Sequence, residues 1–153
     1  EPLTSGTEIR HSIQLSYKCV IIYIINKMIQ QQTTLKVSDN SGAKTLKCIK
    51  VLGGHKKRTA NLGDFVIVSV KELRNKLKKS SKVKKGEVYK ALILKTKKKF
   101  ISKDGSSFFF KTNSACLINK QNKPFGSRIL SPIPKQFKKG KYSKFANISI
   151  GTI

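Results

Sequence analysis

At 153 residues the chain holds one domain with a core of its own, and 38% hydrophobic content makes it globular rather than disordered. Lys and Arg number 33 against 7 acids, a formal charge of +26, which calls for a polyanionic partner: nucleic acid first, an anionic membrane second. The cysteines Cys19, Cys48 and Cys116 lie far apart with only two histidines in the chain, which excludes a clustered zinc site.

Residues 1–27 differ in composition from the rest and read as an N-terminal extension. They hold Glu1, Glu8, Arg10, Lys18 and Lys27, so almost all of the charge falls in a domain spanning 28–153. The apolar run from Cys19 to Ile25 is too short to span a bilayer, which takes about 20 residues. Its β-branched composition suits a strand docked on a neighbouring molecule, and no membrane partner is expected. From Met28 onward the pattern is of short strands broken by turns. Thr34 to Val37 partly alternates, and Asp39 to Gly42 is a turn. Thr45 to Leu52 carries one Lys on each otherwise apolar face, which predicts a part-covered strand or a bulge that shifts its register. Asp64 to Val70 and Val88 to Leu94 have the length and apolarity of strands. Asp104-Gly105 predicts a type I′ hairpin turn between Phe100–Ser102 and Phe108–Phe110. Ala115 to Asn119 is a further strand, and Lys135 to Lys144 reads as one or two short helices or an ordered arm. The sum is a mainly β fold, a small barrel with few and short helices.

The bases concentrate in loops. One cluster is Gly53 to Arg58, with His55, Lys56, Lys57 and Arg58. A second runs from Lys76 through Lys82, Lys84 and Lys85 to Gly86. A third is Lys97, Lys98 and Lys99, and a fourth is Lys138, Lys139 and Lys141. Three of the four include a glycine, which lets backbone approach a phosphate closely. Asn40, Ser41 and Lys44 at the first turn, and Arg128, join them as candidate RNA contacts. The preference for Lys over Arg suits backbone rather than base recognition, although an AT-rich genome produces the same bias. Catalysis has little to stand on. The five acids of the domain, Asp39, Asp64, Glu72, Glu87 and Asp104, form no acid–base set, and the three aspartates sit in turns, where they cap backbone. No cofactor, metal or enzymatic activity is expected. Two functions remain: a structural RNA-binding protein, or a free-standing module for single strands, for which Phe108, Phe109 and Phe110 would supply stacking rings. Alternation places Phe109 opposite its two neighbours, so at most part of that trio forms a platform.

Several ordered stretches resemble the universal large-ribosomal-subunit protein 14 family in its bacterial and organellar form. They are Met28 to Leu35, Val37 to Ala43, Cys48 to Gly54 and Ala60 to Asp64, then Ala91 to Leu94, Asp104-Gly105, Phe110, Asn113, Gly126 to Ile129 and Pro132. The resemblance implies a five-stranded β-barrel with a small helical C-terminal part. It also implies a place on the intersubunit face of the large subunit. The expected partners are large-subunit rRNA, small-subunit rRNA at a bridge, and large-subunit proteins 3 and 19. Three features depart from the family's pattern. The loop after Lys71-Glu72 is longer, Thr59 stands for a tyrosine, and lysines from Lys138 to Lys144 replace C-terminal acids. With the N-terminal extension and the AT-rich composition, these departures point to a mitochondrial ribosome, with plastid or bacterial origin as alternatives.

Overall fold

The computed structural model describes residues 28–74, 83–101, 105–138 and 140–153. The extension 1–27 with its apolar run, Lys76 to Lys79, Lys82, Asp104 and Lys139 lie outside these residues, as does the side chain of Lys141. Five strands close a barrel in the order β1 (Thr34–Val37), β2 (Ala43–Val51), β3 (Phe65–Leu73), β4 (Val88–Lys95) and β7 (Ser114–Ile118). All neighbours are antiparallel except β1 and β7, whose parallel pairing (Lys36 opposite Ser114, Val37 opposite Ala115) shuts the ring and leaves no open edge. β5 (Phe100–Ile101) and β6 (Ser107–Phe108) form a separate hairpin between β4 and β7.

Each strand's composition follows from what covers it. β4 and β7 are buried on both faces. Ala91, Ile93, Ala115 and Leu117 point into the barrel, whereas Leu92, Leu94, Cys116 and Ile118 meet a second core made with Ile129, Ile133, Phe137 and Phe145. Hence their unbroken apolar runs. β1, β2 and β3 bury one face only: Leu35, Val37, Leu46, Cys48, Val66, Val68 and Val70 turn inward, and lysines and hydroxyls turn out. The anticipated irregularity in β2 is a bulge. The register shifts between Cys48 and Lys50, so the inward set changes from Leu46 and Cys48 to Val51, and Ile49 is left exposed. Cys48 and Cys116 are free and buried, as their apolar contexts suggested.

Ile101 pairs with Ser107 and Phe100 with Phe108; the turn expected on Asp104-Gly105 lies partly outside the described residues. Lys36, Lys44, Lys47, Lys50, Lys71, Lys90 and Lys95 lie within β1 to β4, and most of the described bases lie between the strands, as expected. The C-terminal part comprises 3-10 turns at Lys135–Lys138 and Gly140–Tyr142 and a short helix α1 (Ser143–Asn147). The Tyr142 hydroxyl donates to the Gly63 carbonyl at 2.6 Å, and Phe137 and Phe145 enter the second core. This segment thus covers the β4–β7 side and leaves the outer face of β1–β3 open.

Candidate nucleic-acid interface

The meander decides which basic clusters meet. β2 ends, β3 begins, β4 ends and β7 begins at one end of the barrel, because Phe65 lies opposite Leu92 and Ile93 opposite Ala115. The loop with Gly53 to Arg58 and the segment Lys97 to Lys99 both emerge there. Lys98 and Lys99 line a cleft of about 300 Å³ together with Asn61, Leu62, Thr96, Phe100 and Ile101 at this end. Lys84 and Lys85 belong to the opposite end, where the Gly86 and Val70 backbones bond (2.9 Å) and Arg74 N–H donates to the Gly42 carbonyl at 2.9 Å.

Within the first cluster the four bases differ. His55, Lys56 and Arg58 are exposed. Lys56 is held at φ 58° between two left-handed glycines and the rest of the loop, a conformation that turns its side chain away from a regular strand path. Lys57 is instead pinned: its Nζ lies 2.8 Å from Asp64 Oδ1, while Asp64 Oδ2 accepts the Asn61 N–H at 2.7 Å. Gly53 makes room for it, since a Cβ there would meet Lys57 Nζ at 3.1 Å. Lys57 therefore fastens the loop to the barrel, and His55, Lys56 and Arg58 are the groups presented. In the third cluster Lys97 and Lys99 are exposed and Lys98 is half-buried. The Lys97 N–H donates to Asn113 Oδ1 at 2.8 Å, fixing this segment against the start of β7.

The first-turn candidates divide similarly. Ser41 is buried and its N–H and hydroxyl both donate to Asp39 Oδ1, so it serves the turn itself. Asn40 is exposed and locks the turn to the segment before Ile129. Its Nδ2 donates to Ser127 Oγ at 2.8 Å, and its Oδ1 accepts the Arg128 N–H at 3.2 Å. Gly126 is required there, because a Cβ would come within 2.7 Å of Asn40 Oδ1. Arg128 is exposed, presented by that lock. Lys44 pairs with Glu72 at 3.3 Å on the surface, an exchangeable contact. Lys138 is exposed at the end of its 3-10 turn.

The aromatic hairpin is arranged as alternation required. Phe100 and Phe108 have ring centroids 5.4 Å apart, Phe108 and Phe110 5.8 Å, and Lys95 Nζ lies 5.1 Å from the Phe110 centroid. Phe109 points the other way and is exposed. Burial holds the Lys95 ammonium below the usual lysine range. Reading the loops alone overlooked the strand lysines Lys36, Lys47, Lys50 and Lys90. Their alternation with Leu35, Val37, Leu46 and Cys48 was the signal that could have found them.

Among the described residues no group of three or more His, Cys, Asp or Glu could hold a metal ion, and no helix is long and apolar enough to cross a membrane. The four described acids of the domain are engaged: Asp39 by Ser41 and Leu117, Asp64 by Lys57, Glu72 by Lys44, and Glu87 by the Tyr89 hydroxyl. The sequence matches the family model described as ribosomal protein L14p/L23e over residues 28–152, the stretch that folds into this barrel and its C-terminal cover. A closed five-stranded barrel with basic clusters converging on one end is thus found in a chain that belongs to the ribosomal protein L14p/L23e family, a structural, ribosome-associated constituent.

Proposed function

We propose that the protein binds large-subunit rRNA near the intersubunit face, helps bridge to small-subunit rRNA beside large-subunit proteins 3 and 19, and works in a mitochondrial ribosome. The observation that carries the RNA-binding reading is the emergence of two basic clusters at one barrel end, with His55, Lys56, Arg58, Lys97 and Lys99 exposed. Mobile ammonium groups on a rigid frame suit phosphates rather than base edges. The engaged state of the described acids supports a binding role over a catalytic one. The single-strand module is disfavoured because Phe100, Phe108 and Phe110 pack on one another, whereas that function needs a row of exposed rings. The mitochondrial assignment rests on the AT-biased composition and the extension 1–27.

The test is binding of the full-length protein to a large-subunit rRNA transcript across a salt series. Neutralising Lys56, Arg58, Lys97 and Lys99 together should flatten the log–log salt slope by about one unit per lost phosphate contact. Lys57→Gln should loosen the loop and weaken binding with less change in slope. A slope near zero in the natural protein, or one unmoved by the fourfold change, overturns the reading. Sedimentation outside the large subunits of lysed mitochondria overturns the cellular assignment.

A further inference from the structure

The open outer face of β1 and β2 carries a groove that no sequence motif marks. It holds about 220 Å³ and is lined by Thr34, Leu35, Lys36, Thr45, Lys97, Thr112 and Asn113. Its walls are set by backbone ladders. Lys36 lies opposite Thr45 on β2 and opposite Ser114 on β7, and its N–H donates to the Asn113 carbonyl at 3.0 Å. The bond from Lys97 N–H to Asn113 Oδ1 brings the base of the aromatic hairpin to the same rim. No carboxylate lines the groove. Glu72, across the ladder from Thr45, is held by Lys44.

The chemistry of this lining is selective. Beside Leu35, its residues carry three hydroxyls, one amide and two ammonium groups and no aromatic ring, so it has nothing on which a base could stack. It is smaller than the roughly 300–1,000 Å³ of pockets that enclose a small molecule. A groove lined by hydroxyl-bearing residues and two cations matches a repeating unit of anion and hydroxyl. That unit is the ribose–phosphate backbone, whose 2′-hydroxyl both donates and accepts and distinguishes RNA from DNA. We propose that this groove seats an RNA backbone, with Lys36 and Lys97 on phosphates and the hydroxyls of Thr34, Thr45 and Thr112 on 2′-hydroxyl groups, and that it gives the protein its preference for RNA over DNA. The inference rests on the RNA-binding reading above and adds to it a second contact face and a means of discrimination.

The experiment measures binding of the full-length protein to an RNA duplex of about 16 base pairs and to a DNA duplex of the same sequence, each over a salt series. The natural protein should prefer RNA. Replacing Thr34, Thr45 and Thr112 together by Val should weaken RNA binding about tenfold and bring the RNA-to-DNA ratio toward one, with the salt slope unchanged. Replacing the same three by Ser should restore the ratio. Lys36→Gln should lower the slope by about one unit on both duplexes, while Lys123→Gln, in the exposed turn after β7, leaves the RNA-to-DNA ratio intact. Val suits a strand, and a circular dichroism spectrum checks the fold; if the triple variant does not fold, Thr45→Val alone and Lys36→Gln decide. An unchanged ratio in a folded Val variant, or an unchanged slope in Lys36→Gln, overturns the groove assignment. Equal binding of RNA and DNA by the natural protein also overturns it and leaves the RNA-binding reading standing. Binding to neither duplex nor rRNA overturns the RNA-binding reading itself.

Discussion

Asp39 is fully buried, yet its carboxylate is surrounded by donors. Oδ1 accepts from the Ser41 N–H and hydroxyl, and Oδ2 accepts the Leu117 N–H at 2.8 Å from a strand 78 positions away. One side chain thus caps the turn after β1 and ties it to β7. Asp39→Ala would strand these donors in the core, and the expected loss of stability is about 3 kcal/mol. Urea unfolding of the full-length chain measures it; a loss below about 1 kcal/mol would mean the donors find other partners. The neighbouring Cys116 gives a pH dependence. Burial first, and the Asp39 carboxylate second, push its thiol far up from the ordinary 9.0. Above about pH 9 an unfolded thiol ionises and the native one does not, so the native state holds more protons there. Stability present below that pH is therefore lost as pH rises, at up to about 1.4 kcal/mol per pH unit. Cys116→Ala should show a flatter stability profile than the natural protein between about pH 8 and about pH 10. Parallel profiles would show that the thiol ionises within the fold.

The C-terminal segment is the element that turns a barrel into a larger domain. Without Phe137 and Phe145 the outer faces of Leu92, Leu94, Cys116 and Ile118 would meet water. Phe145→Ala should cost about 3–5 kcal/mol through the cavity it leaves. Tyr142→Phe, which removes the bond to Gly63, should cost about 1 kcal/mol. Thermal melts of both variants check the ranking, and a Phe145→Ala variant as stable as the natural protein would mean the segment is not bound to the barrel in solution. The strands were legible in the sequence because their apolar runs and turn residues are local signals, and the expected Val88 to Leu94 and Ala115 to Asn119 moved by one residue at an end, to Val88–Lys95 and Ser114–Ile118. The cover on β4 and β7 was visible only as the absence of alternation in those runs. The fate of individual bases was less legible. Lys56 and Lys57 are adjacent and chemically identical, and only folding brings Asp64 to one of them. The groove beside β1 draws its residues from four separated stretches of chain, so no spacing within the sequence could announce it.

At the scale of the whole molecule the dominant fact is a charge of +26, and its sign fixes how salt should act on the free protein. The two ion pairs among the described residues, Lys57–Asp64 and Lys44–Glu72, are surface or half-buried contacts of modest worth that salt weakens. Against them stand more than four cations for every acid, crowded on a barrel a few tens of ångströms across, within a few Debye lengths at about 0.1 M salt. Self-repulsion destabilises the compact state more than the expanded one. Screening it should therefore outweigh the loss of two attractive pairs, and the melting temperature of the protein alone should rise with sodium chloride. RNA should act in the same direction and more strongly at low salt, because it neutralises the folded surface and its binding is linked to folding. With RNA present, added salt has opposed effects, since it relieves repulsion and releases the ligand. The RNA-induced rise should shrink steadily as salt increases. Melts across a salt series with and without an rRNA transcript separate the two terms. A melting temperature that falls with salt in the protein alone would show that the ion pairs, and not the net charge, govern the stability of this fold.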